Sequence, residues 1–160
     1  MGNPAIGVTA TNNYTSSSPE RFFNLGSYHT NKGNEYIFVY ASAAITAYDA
    51  VGITSGGTAA KLTEALATAV PTTFARVGVA QHAFAAGDYG FVLCQGTGSL
   101  HAKATCNTTN TLYCSTTAGY LDDSGTTGII GIQTTTSIGS GANGTCTVYI
   151  TARPYISTIL

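Results

Sequence analysis

Glu35-Tyr36-Ile37-Phe38-Val39-Tyr40-Ala41 opens the patterned part of this chain. Successive side chains of a strand point to opposite faces, so Tyr36, Phe38 and Tyr40 would share one face and Ile37, Val39 and Ala41 the other. Both faces are apolar. Such a strand lies either at the centre of a core or against a partner. Tyr89-Gly90-Phe91-Val92-Leu93-Cys94 reads the same way.

Further along, two segments alternate cleanly between apolar and polar residues. Leu100, Ala102, Ala104 and Cys106 oppose Ser99, His101, Lys103 and Thr105, while Cys146, Val148 and Ile150 oppose Thr145, Thr147, Tyr149 and Thr151. These patterns predict half-buried strands with one wet face. Glycine-bearing turns separate the runs at Ser55-Gly56-Gly57-Thr58, Ala86-Gly87-Asp88, Asp122-Asp123-Ser124-Gly125 and Gly139-Ser140-Gly141. Only residues 59–70 carry a helical composition. There Leu62, Leu66 and Val70 recur four apart and Pro71 closes the run, which predicts one or two helical turns or an extended loop.

A loose internal repeat supports the fold class. Ala50-Val51-Gly52-Ile53, a Gly-Gly turn and Ala60-Lys61-Leu62 are echoed by Thr111-Leu112-Tyr113-Cys114, an Ala-Gly turn and Tyr120-Leu121-Asp122. Val77-Gly78-Val79-Ala80 and Ile130-Gly131-Ile132-Gln133 follow, then a glycine turn at Gly87 or Gly141 and a last strand carrying Val92 or Val148. Two copies of this plan, interrupted by an insertion at 63–73, predict an all-β body, a small barrel or sandwich. Ahead of it, residues 1–33 are rich in Thr, Asn, Ser and Gly without a period, which predicts an extended N-terminal arm. The chain thus divides into an arm at 1–33, a β-rich body at 34–153 and a short apolar tail at 154–160.

Composition narrows the partners. Charged residues make up 8% of the 160-residue chain, against about 25% in ordinary domains, and six basic residues nearly balance seven acidic ones. With no cluster of Lys and Arg, binding to nucleic acid is not expected. A surface with so few charges protects poorly against association, which suits a protein that lives in an assembly. Residues 1–6 lack a basic, apolar leader and fit a myristoylation signal poorly, and the apolar stretch at 36–48 is too short and polar to span a bilayer. No membrane association is expected.

Catalytic signals are equally sparse. His29, His82 and His101 are scattered, with His101 on the polar face of its strand, where it reads as solvated. No Ser or Cys sits in a nucleophile-elbow context, and no glycine-rich segment has phosphate-loop spacing. Cys94, Cys106, Cys114 and Cys146 have no metal-ligand spacing and read as small buried hydrophobes. Asp122-Asp123 and Asp88 are turn residues, and two adjacent carboxylates fall short of the 6–8 oxygens calcium takes. Asn13, Asn107 and Asn143 open sequons that this Ser/Thr content produces by chance. The expectation is a protein without catalytic residues, metal or cofactor.

The body also resembles a known family. Ala43-Ala44-Ile45 with Tyr48-Asp49-Ala50-Val51-Gly52, Val77-Gly78-Val79-Ala80, the run from Ala85 to Val92 and Leu112-Tyr113 through Thr117-Ala118-Gly119 are similar to small glycine-rich capsid decoration proteins of tailed bacteriophages. The resemblance spans residues 35–152. It implies a β-barrel or β-tulip-like body that binds the outside of an icosahedral head, cements neighbouring capsomers and forms a homo-oligomer, a trimer first and a dimer second. The implied partner is the major capsid protein, and the implied location is the capsid surface of a virion assembled in the host bacterial cytoplasm. On that reading the docking contacts are expected at Arg21, Phe22, Phe23, Leu25 and Tyr28, with Tyr155 and Ile156 as second choice. The alternative to docking for the phenylalanines is that they fold back on their own domain. Rival readings are a tail or fibre component, a carbohydrate-binding adhesin module suggested by ten tyrosines, and a secreted disulfide-stabilised hydrolase suggested by four cysteines.

Overall fold

The structure, a computed structural model, describes residues 23–69, 74–108 and 111–158. Among them ten strands and one helix run in the order β1 (Tyr28–Asn31), β2 (Asn34–Ala41), β3 (Ala50–Thr54), β4 (Thr58–Lys61), α1 (Glu64–Ala69), β5 (Phe74–Val79), β6 (Tyr89–Ala102), β7 (Leu112–Cys114), β8 (Leu121–Asp122), β9 (Thr127–Thr134) and β10 (Gly144–Thr158). The fold is all-β.

Strand β2 is buried on both faces, as its alternation predicts. Tyr36 and Phe38 enter one apolar cluster, and Ile37, Val39 and Ala41 enter another. The reason is closure. One edge of β2 pairs antiparallel with β6 over Tyr36↔Leu93 to Tyr40↔Tyr89. The other edge is shared between β1 and, through Tyr40↔Thr58 and Ala41↔Ala59, parallel β4. With β3 between β4 and β5, and β5 against β6, the order β2–β4–β3–β5–β6 closes a five-stranded barrel. Ile37, Val39, Val51, Ile53, Ala59 and Val92 fill it. Closure leaves the barrel no edge of its own.

The second half repeats the connectivity. Strand β6 continues past the first barrel and pairs with β10, then β9, β7 and β8 follow, and Ala102↔Leu121 returns from β8 to β6. The two circuits match strand for strand: an antiparallel β3–β4 pair corresponds to β7–β8, β3–β5 to β7–β9, and the parallel β2–β4 contact to β6–β8. Strand β6 is therefore the last strand of one circuit and the first of the next. Leu100, Leu112, Leu121, Ile129, Ile132 and Val148 form the inside of the second circuit, continuous with Phe38, Phe91 and Leu93 on the outer face of the first.

Three sequence expectations shift. Residues 58–61 form strand β4, and α1 starts only at Glu64, where Thr63 Oγ1 accepts the Leu66 N–H at 3.0 Å as an N-cap. Alanine and leucine favour helix, but pairing with β2 and β3 wins at Ala59 and Ala60. The alternation expected through Cys106 stops at Ala102, because Lys103 N–H turns to Leu121 O at 2.9 Å and Thr105 adopts a φ of 68°. Finally, β1 lies within the segment read as an arm, and β10 runs through the segment read as a tail, pairing Tyr155↔Ile130 to Thr158↔Thr127.

Candidate functional site

The outer face of the second circuit carries three of the four exposed large apolar residues among those described, the fourth being Leu25 beside the first barrel. Along β10, Cys146, Val148 and Ile150 point inward and Tyr149 is 46% exposed. Between Ile150↔Ile132 and Tyr155↔Ile130 the register shifts, so that residues 151–154 stand against Gly131 alone. Gly131 has a φ of 98°, and Thr151 donates its hydroxyl to Gly131 O at 3.3 Å. Such a bulge re-aims the side chains beyond it. Tyr155 and its cross-strand partner Ile130 then face solvent together, 51% and 46% exposed. Tyr149 lies where β10 is paired with both β6 and β9, and Tyr155 where β10 is paired with β9, so the apolar residues ride on a hydrogen-bonded sheet.

Of the residues predicted to dock, Arg21 and Phe22 lie outside the described residues. Phe23 folds back: its ring lies 5.5 Å from that of Phe38 and 5.2 Å from that of Phe91. Leu25 is exposed, and Tyr28 is half-buried beneath the Arg76 guanidinium, 4.9 Å from the ring centre. Ile156, paired with Ile129, packs against the core, whereas its neighbour Tyr155 is open. Ile130 and Tyr149 went unflagged. Nothing in Ile129-Ile130-Gly131-Ile132 says which isoleucine faces out until the bulge is placed.

A polar cluster also escaped the sequence reading. Asp49 is buried, yet its carboxylate meets Lys61 Nζ at 2.8 Å, His101 Nδ1 at 3.1 Å and the Thr46 N–H at 2.8 Å. His101 is thus bonded rather than solvated. Tyr120 stacks on its ring at 4.7 Å and Tyr48 meets its edge. Gly119 closes over the carboxylate, since a Cβ there would sit 2.5 Å from Asp49 Cγ. The available signal was a local echo. Residues 41–49 and 80–88 cross at Ile45↔Phe84, and in each an Asp accepts the N–H three residues back, Thr46 or Ala85, at 2.8 Å. Gly87 and Tyr48 both take a positive φ in these turns, 92° and 73°. Among the described residues the His101 ring bonds the Asp49 carboxylate, and the Thr46 hydroxyl accepts from Lys61 Nζ at 2.9 Å. The cluster ties β4 of the first circuit to the end of β6 that lies within the second.

All four cysteines are free and buried. Burial pushes the thiols of Cys106 and Cys114 up to about 12 and that of Cys146 up to about 11. Cys106 approaches Asp122 and Asp123, with possible ligand atoms within 4.8 Å of one another. Three donors fall short of the four of a structural zinc site. The carboxylates are also satisfied internally: Asp123 accepts the Asn107 N–H at 2.9 Å and its Nδ2–H at 3.0 Å, and Asp122 accepts the Asp123 N–H at 2.8 Å. The Asn107 backbone N–H holds the Asp123 carboxyl below its ordinary range, and burial raises that of Asp122.

In comparison with known proteins, no protein-family model and no curated protein matches this sequence.

Proposed function

We propose that this chain is a non-enzymatic structural component of a virion that binds the outer surface of an icosahedral phage capsid and cements neighbouring capsomers. The observation that carries the proposal is the exposed apolar group Ile130, Tyr155 and Tyr149, presented on the paired strands β9 and β10 of the β body. Aromatic residues anchored on a rigid surface supply contact area at little entropic cost. A charge-poor surface lowers the desolvation penalty of covering it. The partner in this reading is the major capsid protein, and the chain acts as a homo-oligomer whose linked copies gain avidity. A ligand that binds the assembled shell and not its parts shifts the equilibrium toward the shell. Cosedimentation with shells and with dissociated capsomers tests this: the chain should pellet with shells and raise their melting temperature. Equal binding to dissociated capsomers, or an unchanged melt, contradicts it.

A further inference from the structure

A cavity of about 340 Å³ opens beside the first barrel, lined by Leu25, Tyr28, Ile37, Thr54, Ser55 and Arg76 among others. Its position follows from the register. Arg76 on β5 pairs with Ile53 on β3, and cross-strand partners share a face. Ile53 and Ile37 belong to the barrel's inner cluster, and Tyr28 packs against it. The cavity is therefore the mouth of the barrel, a common place for a ligand site, and its volume lies in the usual range for one.

Its chemistry is unbalanced. Leu25, Tyr28 and Ile37 are largely apolar, whereas Arg76 brings a permanent positive charge with five N–H donors. Among the described residues, Arg76 makes no ion pair and no hydrogen bond; its contact is the face of Tyr28 at 4.9 Å. A cation over an aromatic face keeps its charge, and a guanidinium's five N–H donors in a planar fork match a carboxylate.

We propose that the barrel mouth binds a small apolar monocarboxylate, with Arg76 pairing its carboxylate and Tyr28, Ile37 and Leu25 enclosing its hydrocarbon part. A single guanidinium matches one negative charge, whereas a phosphate monoester carries about −1.5 to −2 at neutral pH and would leave charge uncompensated here. Thr54 and Ser55 add hydroxyl-bearing residues to its lining. The site is separate from the exposed face of β9 and β10, and the proposal stands whether or not the chain binds a shell.

Titration calorimetry of the full chain with hexanoate and with N-acetyl-leucine, at roughly millimolar concentration, tests it. One saturable site is expected. Binding of both probes marks a free acid as an accepted ligand, and binding of N-acetyl-leucine alone marks a peptide terminus; both support the carboxylate site. Arg76→Gln should weaken binding at least about tenfold, the loss of a charge-assisted hydrogen bond, without lowering the melting temperature. Independently of any variant, the Ile37 methyl and Arg76 Nε–H resonances should shift on titration. Absence of saturable binding, equal binding of hexanol, tighter binding of hexyl phosphate, or shifts located elsewhere overturns the proposal.

Discussion

Asp49 shows how much one side chain can organise. Its two carboxylate oxygens serve the Lys61 ammonium, the His101 ring and one backbone N–H while almost wholly removed from water. A buried charge is tolerated only when its partners replace the lost hydration. Asp49→Ala is expected to cost about 3–5 kcal/mol, the range for breaking a buried pair, read by urea denaturation. Within 0.5 kcal/mol, roughly the scatter of an ordinary surface substitution, the cluster would be ornamental. The thiols give a second residue-scale prediction. Their ordinary value is 9.0, and burial pushes Cys114 to about 12. Above pH 9 the unfolded chain loses these protons while the folded chain keeps them. Stability should therefore hold below that pH and fall as pH rises toward the folded values, by up to about 1.4 kcal/mol per thiol per pH unit. Denaturation at pH 8 and pH 10.5 checks this, and Cys114→Ala should flatten the decline. In the sequence Asp49 was legible only as a neighbour of apolar residues. Its partners Lys61 and His101 lie far away along the chain, and spacing carries no trace of them.

Strand β6 shows the same limit for elements. Its apolar start and alternating end were both legible, because a strand's period of two is local. That these are one strand serving two circuits was not legible. The change of circuit falls at Gln95 and Gly96, where pairing with β2 ends and pairing with β10 begins at Gly96↔Ile150. Gly96 has a φ of 108°, and a Cβ there would overlap Asn34 Oδ1. Asn34 needs that space: its side chain accepts the Thr97 N–H and donates to Thr97 O, both at 3.0 Å. Gly96→Ala should thus lower stability by about 1–3 kcal/mol through strain and crowding, visible as an earlier thermal unfolding. A wild-type melt would show that the pivot is not constrained. The helical composition of 59–70 did give one short helix, Glu64–Ala69, but residues 59–61 join β4, because propensity is a weak prior where two neighbouring strands offer ladder partners.

At the scale of the whole molecule, the repeat in the sequence corresponds to a repeated strand order, with β3–β6 matched by β7–β10. Turn spacing made the repeat visible. Closure was invisible, since it depends on pairs such as Ala102↔Leu121, whose parallel contact no local pattern announces. The exposed apolar face was legible in part: Tyr155 was singled out and is exposed, but Phe23 packs on the body and Ile156 packs against the core. What the body leaves exposed on β9 and β10 is an apolar group, and the functional proposal depends on it. The most direct measurement is cosedimentation with assembled capsid shells of the wild-type chain and of a variant carrying Ile130→Asp and Tyr155→Asp. Both positions are open to solvent, so the variant should fold and melt near wild type. The account predicts shell binding weakened at least about tenfold, as expected when two interface anchors are lost. Undiminished binding by the folded variant would contradict it.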